Sequence, residues 1–254
     1  MSTPATLPQG YQPAANLLQE RVILVTGAGS GIGRVAALTY AGLGATVVLL
    51  GRTLSKLEAV YDEIEAAGSP QPAIYPINLE GAAEKDYRDM CDTLNSEFGR
   101  VDGILHNAAD LGDRTPLKDY ALPTWQRLLQ VNVTAPFMLT QALMPLLEAA
   151  DDASVIFTGS GVGRQGRAYW GAYGVSKAAT ENLMQTWAAE LDGCSAIRCN
   201  SINPGATRTA MRAAAFPAED PAALTTPEEL MPLYVYLMGP DSVGTNGEQF
   251  NAQG

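Results

Sequence analysis

The chain has 254 residues, 46% hydrophobic and 17% charged, which is enough apolar material for a buried core and too little charge for a disordered chain. It carries 16 Lys and Arg against 27 Asp and Glu, a formal charge of −11. That balance argues against nucleic acid or an anionic membrane surface as the main partner, because both need a basic face. Residues 1–20, rich in Pro, Gln and Ala, read as an N-terminal arm on one domain spanning 21–254. The pattern then predicts a strand over Val22–Val25, a helix over Gly33–Gly44 and a strand over Thr46–Leu50. Leu54–Ala67 repeats Leu54, Leu57, Val60, Tyr61 and Ile64 at helical intervals, and Gly68-Ser69-Pro70 stops it. A strand over Ala73–Ile77, a helix over Ala82–Phe98 and a strand over Asp102–Leu105 follow. One long helix is expected over Pro123–Leu147, a strand over Ser154–Thr158, a helix over Gly171–Leu191 and a strand over Ala196–Ile202. A helix over Pro227–Met238 and a short strand over Glu248–Asn251 close the chain.

Strands that are apolar throughout, alternating with amphipathic helices, indicate an α/β fold. Right-handed crossovers make it a doubly wound parallel β-sheet with helices on both faces, in a single domain. The first residues lack a basic region followed by a long apolar one, so no secretory signal is expected. No stretch reaches the roughly 18 uninterrupted apolar residues of a membrane span. A cytoplasmic protein without membrane contact is the expectation. Three scattered Cys (Cys91, Cys194, Cys199) do not make a disulfide framework. The single His (His106), with no CxxC pair, leaves no metal site to expect.

Three places carry chemistry. Thr26-Gly27-Ala28-Gly29-Ser30-Gly31-Ile32-Gly33 joins a strand to a helix in a TGxxxGxG pattern rather than GxGxxG. Glycines there allow a tight turn and close backbone approach, and the helix start offers free N–H groups to a pyrophosphate. The alternative is a glycine-rich connector with no ligand. The second strand ends at Leu50-Gly51-Arg52, with no acid to bind ribose hydroxyls. Arg52 can pair with a 2′-phosphate, or it can be a solvated loop arginine. The 2′-phosphate reading selects NADP(H), with NAD(H) as the second choice. Finally, Tyr173 and Lys177 sit four residues apart on a helix, hence on one face. A tyrosine near pKa 10 needs a neighbouring ammonium to serve as acid or base at neutral pH. Ser160 follows a strand at the carboxyl edge of the sheet, where ligands bind in such folds. Its hydroxyl can donate to a carbonyl oxygen as charge develops. Without that context, Tyr-x-x-x-Lys is only an exposed pair.

Thr26–Gly33, Asn107-Ala108-Ala109, Asn132, Ser160, Tyr173, Lys177 and Pro204-Gly205-x-x-x-Thr209 stand in the order and spacing of the short-chain dehydrogenase/reductase family, which the chain resembles from about Val22 to its end. Within it, Val162–Ala168, Thr207–Ala213 and Met231–Tyr234 resemble the YciK-type bacterial oxidoreductases. The resemblance implies a Rossmann-like fold and an NADP(H)-dependent oxidoreductase acting on a small-molecule carbonyl or secondary alcohol. Tyr173 would exchange the proton, Lys177 would lower its pKa and hold the nicotinamide ribose, and Ser160 would orient the carbonyl. Asn132 would position a water in a relay to Lys177. The cofactor would lie against Gly27, Ser30, Gly31, Ile32 and Gly33, then Arg52, Asn78 and Leu79, then Asn107 and Ala108. At its other end it would meet Tyr173, Lys177, Pro204, Gly205, Thr207 and Thr209. Four positions depart from the family pattern: His106 and Ala109 around Asn107, Asn78 for an adenine-binding Asp, and Thr207 for Ile or Val. A homodimer or homotetramer formed through the two long helices is implied as well.

Two segments, Ala153–Thr180 and Gly193–Ala218, contain no acid and hold Arg164, Arg167, Lys177, Arg198, Arg208 and Arg212. They are expected either to make a locally positive cleft, suited to an anionic cofactor and an anionic carbonyl substrate, or to serve an interface and snorkel. Ala210–Thr226 reads as a lid, and Trp170 as a pocket wall or a packed side chain. Two other functions compete: a non-catalytic NAD(P)-binding sensor or scaffold, and a hydrolase or lyase on the same fold. The single His disfavours the latter.

Overall fold

The computed structural model describes residues 4–253. Its centre is a seven-stranded sheet in the order β3-β2-β1-β4-β5-β6-β7, with every neighbouring pair parallel. The strands are β1 (Val22–Thr26), β2 (Thr46–Gly51), β3 (Ala73–Pro76), β4 (Gly103–His106), β5 (Ala153–Thr158), β6 (Ile197–Asn203) and β7 (Gln249–Asn251). Each lies within one or two residues of its expected place.

Along β1 the side chains alternate between two cores, as a pleated strand buried on both faces requires. Ile23 and Val25 face one core and Val22 and Leu24 the other. The first core is closed by α1 (Gly31–Gly42), α2 (Leu54–Ala66) and α9 (Pro227–Met238). The second is closed by α3 (Glu84–Phe98), α5 (Ala135–Glu148) and α7 (Gly171–Leu191). Helix α9 starts at a reciprocal cap, in which Thr226 accepts from the Glu229 N–H and Glu229 accepts from the Thr226 N–H.

The expected long helix over 123–147 is interrupted. Helix α4 (Leu122–Leu129) passes into a π-helical turn, Gln130–Thr134, and only then into α5. The cause is local: Pro136 has no N–H to bond the Asn132 carbonyl four residues back. That carbonyl accepts the Thr180 hydroxyl of α7 instead, at 3.0 Å. Two short helices, α6 (Gly161–Arg164) and α8 (Ala210–Ala215), fall in stretches where periodicity predicts none.

The described part of the arm, 4–20, packs onto the fold. Leu18 is fully buried in the first core, and Ala5 pairs with Phe250 at the outer edge of β7.

Candidate active site

The strand order reverses direction between β1 and β4, and a cavity of about 590 Å³ opens at the carboxyl ends beside that point. Its floor is the β1–α1 turn. Gly27 and Gly31 have φ of +70° and +55°, which favour glycine. A Cβ on Gly29 would meet the Lys56 side chain at 2.9 Å, and one on Gly33 would collide with the Gly27 carbonyl oxygen. Gly27, Ser30, Gly31 and Ile32 line the cavity; Gly33 lies just behind them and lets the helix sit close to the turn. The first turn of α1 has no acidic residue, and the Ser30 hydroxyl at its cap makes no capping bond. Free N–H groups therefore face the cavity and suit an anion.

At one end stand Arg52, Asn78 and Leu79, joined by Lys56 and Glu80. Arg52 and Lys56 are exposed, and neither makes an ion pair or side-chain hydrogen bond among the described residues. Asn107 and Ala108 form the middle wall, their N–H groups each donating to the Thr26 hydroxyl at 2.9 Å. Pro204, Gly205, Thr207 and Thr209 form the opposite wall. Gln253 pins that loop by donating to the Pro204 carbonyl at 2.7 Å and to the Ala206 carbonyl at 3.1 Å.

Ser160, Tyr173 and Lys177 meet at this far end and line the same cavity. Lys177 is buried, and its ammonium donates to the Thr158 carbonyl at 2.7 Å. It lies 5.7 Å from the centre of the Tyr173 ring. Burial pushes Lys177 down to about 8, with Glu181 opposing the shift. Burial pushes Tyr173 up to about 12, and only the Ser160 hydroxyl pulls the other way. The resulting neutral phenol is a proton donor at neutral pH.

Asn132 does not line the cavity. Its side chain accepts from the Asp110 N–H at 2.8 Å and donates to the Asp110 carbonyl and the Ser176 hydroxyl, both at 2.9 Å. Ser176 in turn donates to the Tyr173 carbonyl at 2.9 Å. Asn132 thus ties the loop after β4 to the backbone of Tyr173. His106 is buried against Phe157 and bonded to Thr140 at 2.8 Å, and burial lowers it to about 3. It is neutral and away from the cavity lining, which removes the only histidine from acid–base work.

Of the basic residues in the two acid-free segments, three are neutralised by neighbouring acids. Arg164 is paired with Glu181, Arg198 with Asp152 and Arg212 with Glu219. Those acids lie just outside the two acid-free segments in sequence but next to them in space. Arg198 also stands at the start of β6, at the end of the sheet opposite the cavity. What the sequence left unseen is how α8 is anchored. Arg114 lies 4.6 Å from the ring centres of both Trp170 and Phe216, and donates to the Ala215 carbonyl of α8. It links α8 to Trp170, which lies 5.7 Å from the Tyr173 ring and lines the cavity with Leu111, Met211 and Ala214. No pattern in one sequence pairs residue 114 with residues 170 and 216.

The family model for short chain dehydrogenases matches residues 21–220. The chain is 51% identical over 243 residues to the uncharacterised oxidoreductase YciK of Escherichia coli K12, covering 96% of each. It is 57% identical to a short chain dehydrogenase of Pseudomonas syringae, whose structure superposes with a TM-score of 0.94 over 96% of this chain and 98% of that one. A short chain dehydrogenase of Escherichia coli CFT073, solved in complex with NADPH, is 51% identical at a TM-score of 0.92, covering 95% of this chain and 100% of that one. With its parallel sheet and its cavity at the strand ends, this chain belongs to the short-chain dehydrogenase family of oxidoreductases.

Proposed function

We propose that the protein is an NADP(H)-dependent reductase of neutral carbonyl compounds, running in reverse on secondary alcohols, with Tyr173 as the proton donor and acceptor. One observation carries this reading: a half-buried tyrosine, a buried lysine and a serine converge on a cavity whose other end holds two cations unpartnered among the described residues. The residues fit the cofactor. The Gly27–Ile32 turn offers bare backbone to its diphosphate, and Arg52 with Lys56 would hold a 2′-phosphate that a nicotinamide cofactor without one lacks. Asn78 and Leu79 would flank the adenine and Asn107 and Ala108 the adjoining ribose. Pro204, Gly205, Thr207 and Thr209 would border the nicotinamide, with Lys177 on its ribose. The NADPH complex of the Escherichia coli relative supports the choice. When bound, the cofactor supplies or takes up a hydride.

The protein's own part is binding and proton handling. Tyr173 gives its phenolic proton to the carbonyl oxygen as charge develops there. Ser160 donates a hydrogen bond to the same oxygen. The Lys177 ammonium steadies the phenolate left behind. Asn132, through Ser176, keeps the Tyr173 backbone in place. The substrate end is walled by Trp170, Leu111, Met211 and Ala214, and Arg212, which also lines the cavity, is already held by Glu219 at 2.6 Å through two bonds. Those walls favour a neutral, apolar substrate over an anionic one.

The outer faces of α5 and α7 expose Phe137 and Val175, which favours a homo-oligomer, homodimer or homotetramer, of a cytoplasmic enzyme. NADPH oxidation across a panel of neutral and carboxylate-bearing ketones tests the activity. Turnover on neutral ketones, lost by about 100-fold or more in Tyr173→Phe with NADPH binding kept, is expected. NADPH binding with no turnover on any ketone would instead favour a sensor.

A further inference from the structure

Behind the site stands a buried carboxylate that none of these roles uses. Glu181 lies on α7 four residues after Lys177 and eight after Tyr173, so the three share a helix face. It is 4% exposed. One carboxylate oxygen accepts from Arg164 Nε at 3.1 Å, and the other accepts from the Ser201 hydroxyl at 2.5 Å. A Cβ on Gly159 would collide with Glu181 Oε1, so the carboxylate rests directly on the Gly159 backbone. Gly159 joins Thr158, whose carbonyl holds Lys177, to Ser160. Arg164 also donates to Asn251 Oδ1 at 2.9 Å and to the Phe250 carbonyl at 3.2 Å. Asn251 accepts from Asn203 Nδ2 at 3.1 Å, and Asn203 Oδ1 accepts from the N–H groups of Gly161 and Gly205 at 3.2 Å. This chain of bonds joins α7, the Ser160 turn and the Pro204–Thr209 wall. An ion pair this buried is a poor source of stability, because desolvation offsets its attraction. Its placement is what distinguishes it.

We propose that Glu181, clamped by Arg164 and Ser201, is a positioning residue that fixes the Gly159–Ser160 backbone against the Tyr173–Lys177 face and keeps the Lys177 ammonium charged. The proposal rests on the reading of Tyr173 as proton donor. Few charges compete at Lys177. From its own helix come Tyr173, a neutral phenol, and Glu181; from β4 comes His106, neutral; from β5 comes only the Thr158 carbonyl. Arg164 of α6 lies beyond Glu181 and tempers it. Burial alone pushes the lysine toward neutrality, and Glu181 is the charge that resists this.

The test uses the full-length protein labelled at lysine side-chain carbon, with the Lys177 signal assigned by Lys177→Arg and followed through a pH titration. In Glu181→Gln, Lys177 is expected to titrate lower by about 1 pH unit or more. With NADPH and cyclohexanone as probe, kcat falls about tenfold or more while KM for NADPH changes less than twofold, and the alkaline limb of kcat moves to lower pH. Glu181→Asp keeps the charge but withdraws it from Gly159, so it restores the Lys177 titration and leaves kcat low. A merely structural ion pair would lower the melting temperature and leave both the titration and the alkaline limb in place, which overturns the proposal. If Glu181→Gln does not fold with Arg164 left unpaired, the double variant Arg164→Met/Glu181→Gln removes both charges together and is read in the same way. If the wild type does not reduce cyclohexanone, the lysine titration still decides the role of Glu181, separately from the reaction.

Discussion

Arg52 and Lys56 are both exposed and both turned to one end of the cavity. Each is available to a ligand, because no carboxylate among the described residues claims it. A 2′-phosphate placed there would accept charge-assisted hydrogen bonds, each worth about 1.5–3 kcal/mol. Arg52→Ala is therefore expected to weaken NADPH binding about tenfold or more and leave NADH binding nearly unchanged, as measured by titration of cofactor fluorescence. Arg52→Ala/Lys56→Ala should abolish the preference altogether. Equal losses for both cofactors would place the cations elsewhere. His106 gives a second prediction, this time for stability. Its folded-state pKa is about 3 against a usual 6.5, because burial disfavours the charged ring. The unfolded chain thus binds one more proton than the folded one between these values. Stability from keeping His106 neutral is full above about pH 6.5 and is lost as pH falls toward 3, at about 1.4 kcal/mol per pH unit. His106→Gln, which can still bond Thr140, should flatten the acid limb of a denaturant-based stability profile by that one proton. An unchanged slope would exclude His106 as its source. Residue types told much of this in advance: Tyr173, Lys177, Ser160 and Arg52 are chemically distinctive and locally spaced. Lys56, Arg114 and Glu181 were not visible, because their roles come from neighbours that are distant in sequence.

Among the elements, the strands lie close to where sequence pattern puts them, since a strand buried on both faces leaves an unbroken apolar run. The helix expected over 123–147 shows where pattern reading fails. Apolar spacing continues through Gln130–Thr134 and does not register a single missing N–H. Pro136 removes that donor, the turn widens, and the Asn132 carbonyl is free for Thr180. The widened turn also aims the Asn132 amide at Asp110 and Ser176. Pro136→Ala restores the N–H and lets the turn relax toward α geometry. The protein should stay folded, with helical circular dichroism and melting temperature near those of the wild type. Ketone reduction should fall about tenfold, because Asn132 no longer steadies the Tyr173 backbone. Full activity in Pro136→Ala would mean that the π turn is incidental. The short helices α6 and α8 escaped the pattern for a different reason. At four and six residues they are too short to show a period, and their start is fixed by the Ser160 and Thr209 side chains acting as caps.

For the whole molecule, the acidic charge and the cofactor are reconciled by where the free cations stand. Arg164 and Arg212 near the site are spent on adjacent acids, and Arg52 and Lys56 stand together at one end of the cavity. The arm completes the fold in a way that composition does not reveal. A Pro-, Gln- and Ala-rich stretch reads as an appendage, yet Leu18 is fully buried and Leu7 and Leu17 pack on the same core. Ala5 donates its N–H to the Gln249 carbonyl at 2.8 Å and so covers the outer edge of β7. An uncovered edge strand offers unpaired N–H and C=O groups to another chain. Leu18→Ala should cost about 2–5 kcal/mol by opening a cavity under the arm. Deleting residues 1–20 should cost at least as much and also bare the β7 edge. The truncated protein is then expected to melt lower and to self-associate as its concentration rises, by light scattering, while Leu18→Ala melts lower without self-association. If the truncated protein matches the full chain in melting temperature and in mass at every concentration, the arm is an appendage after all and β7 is protected by something else.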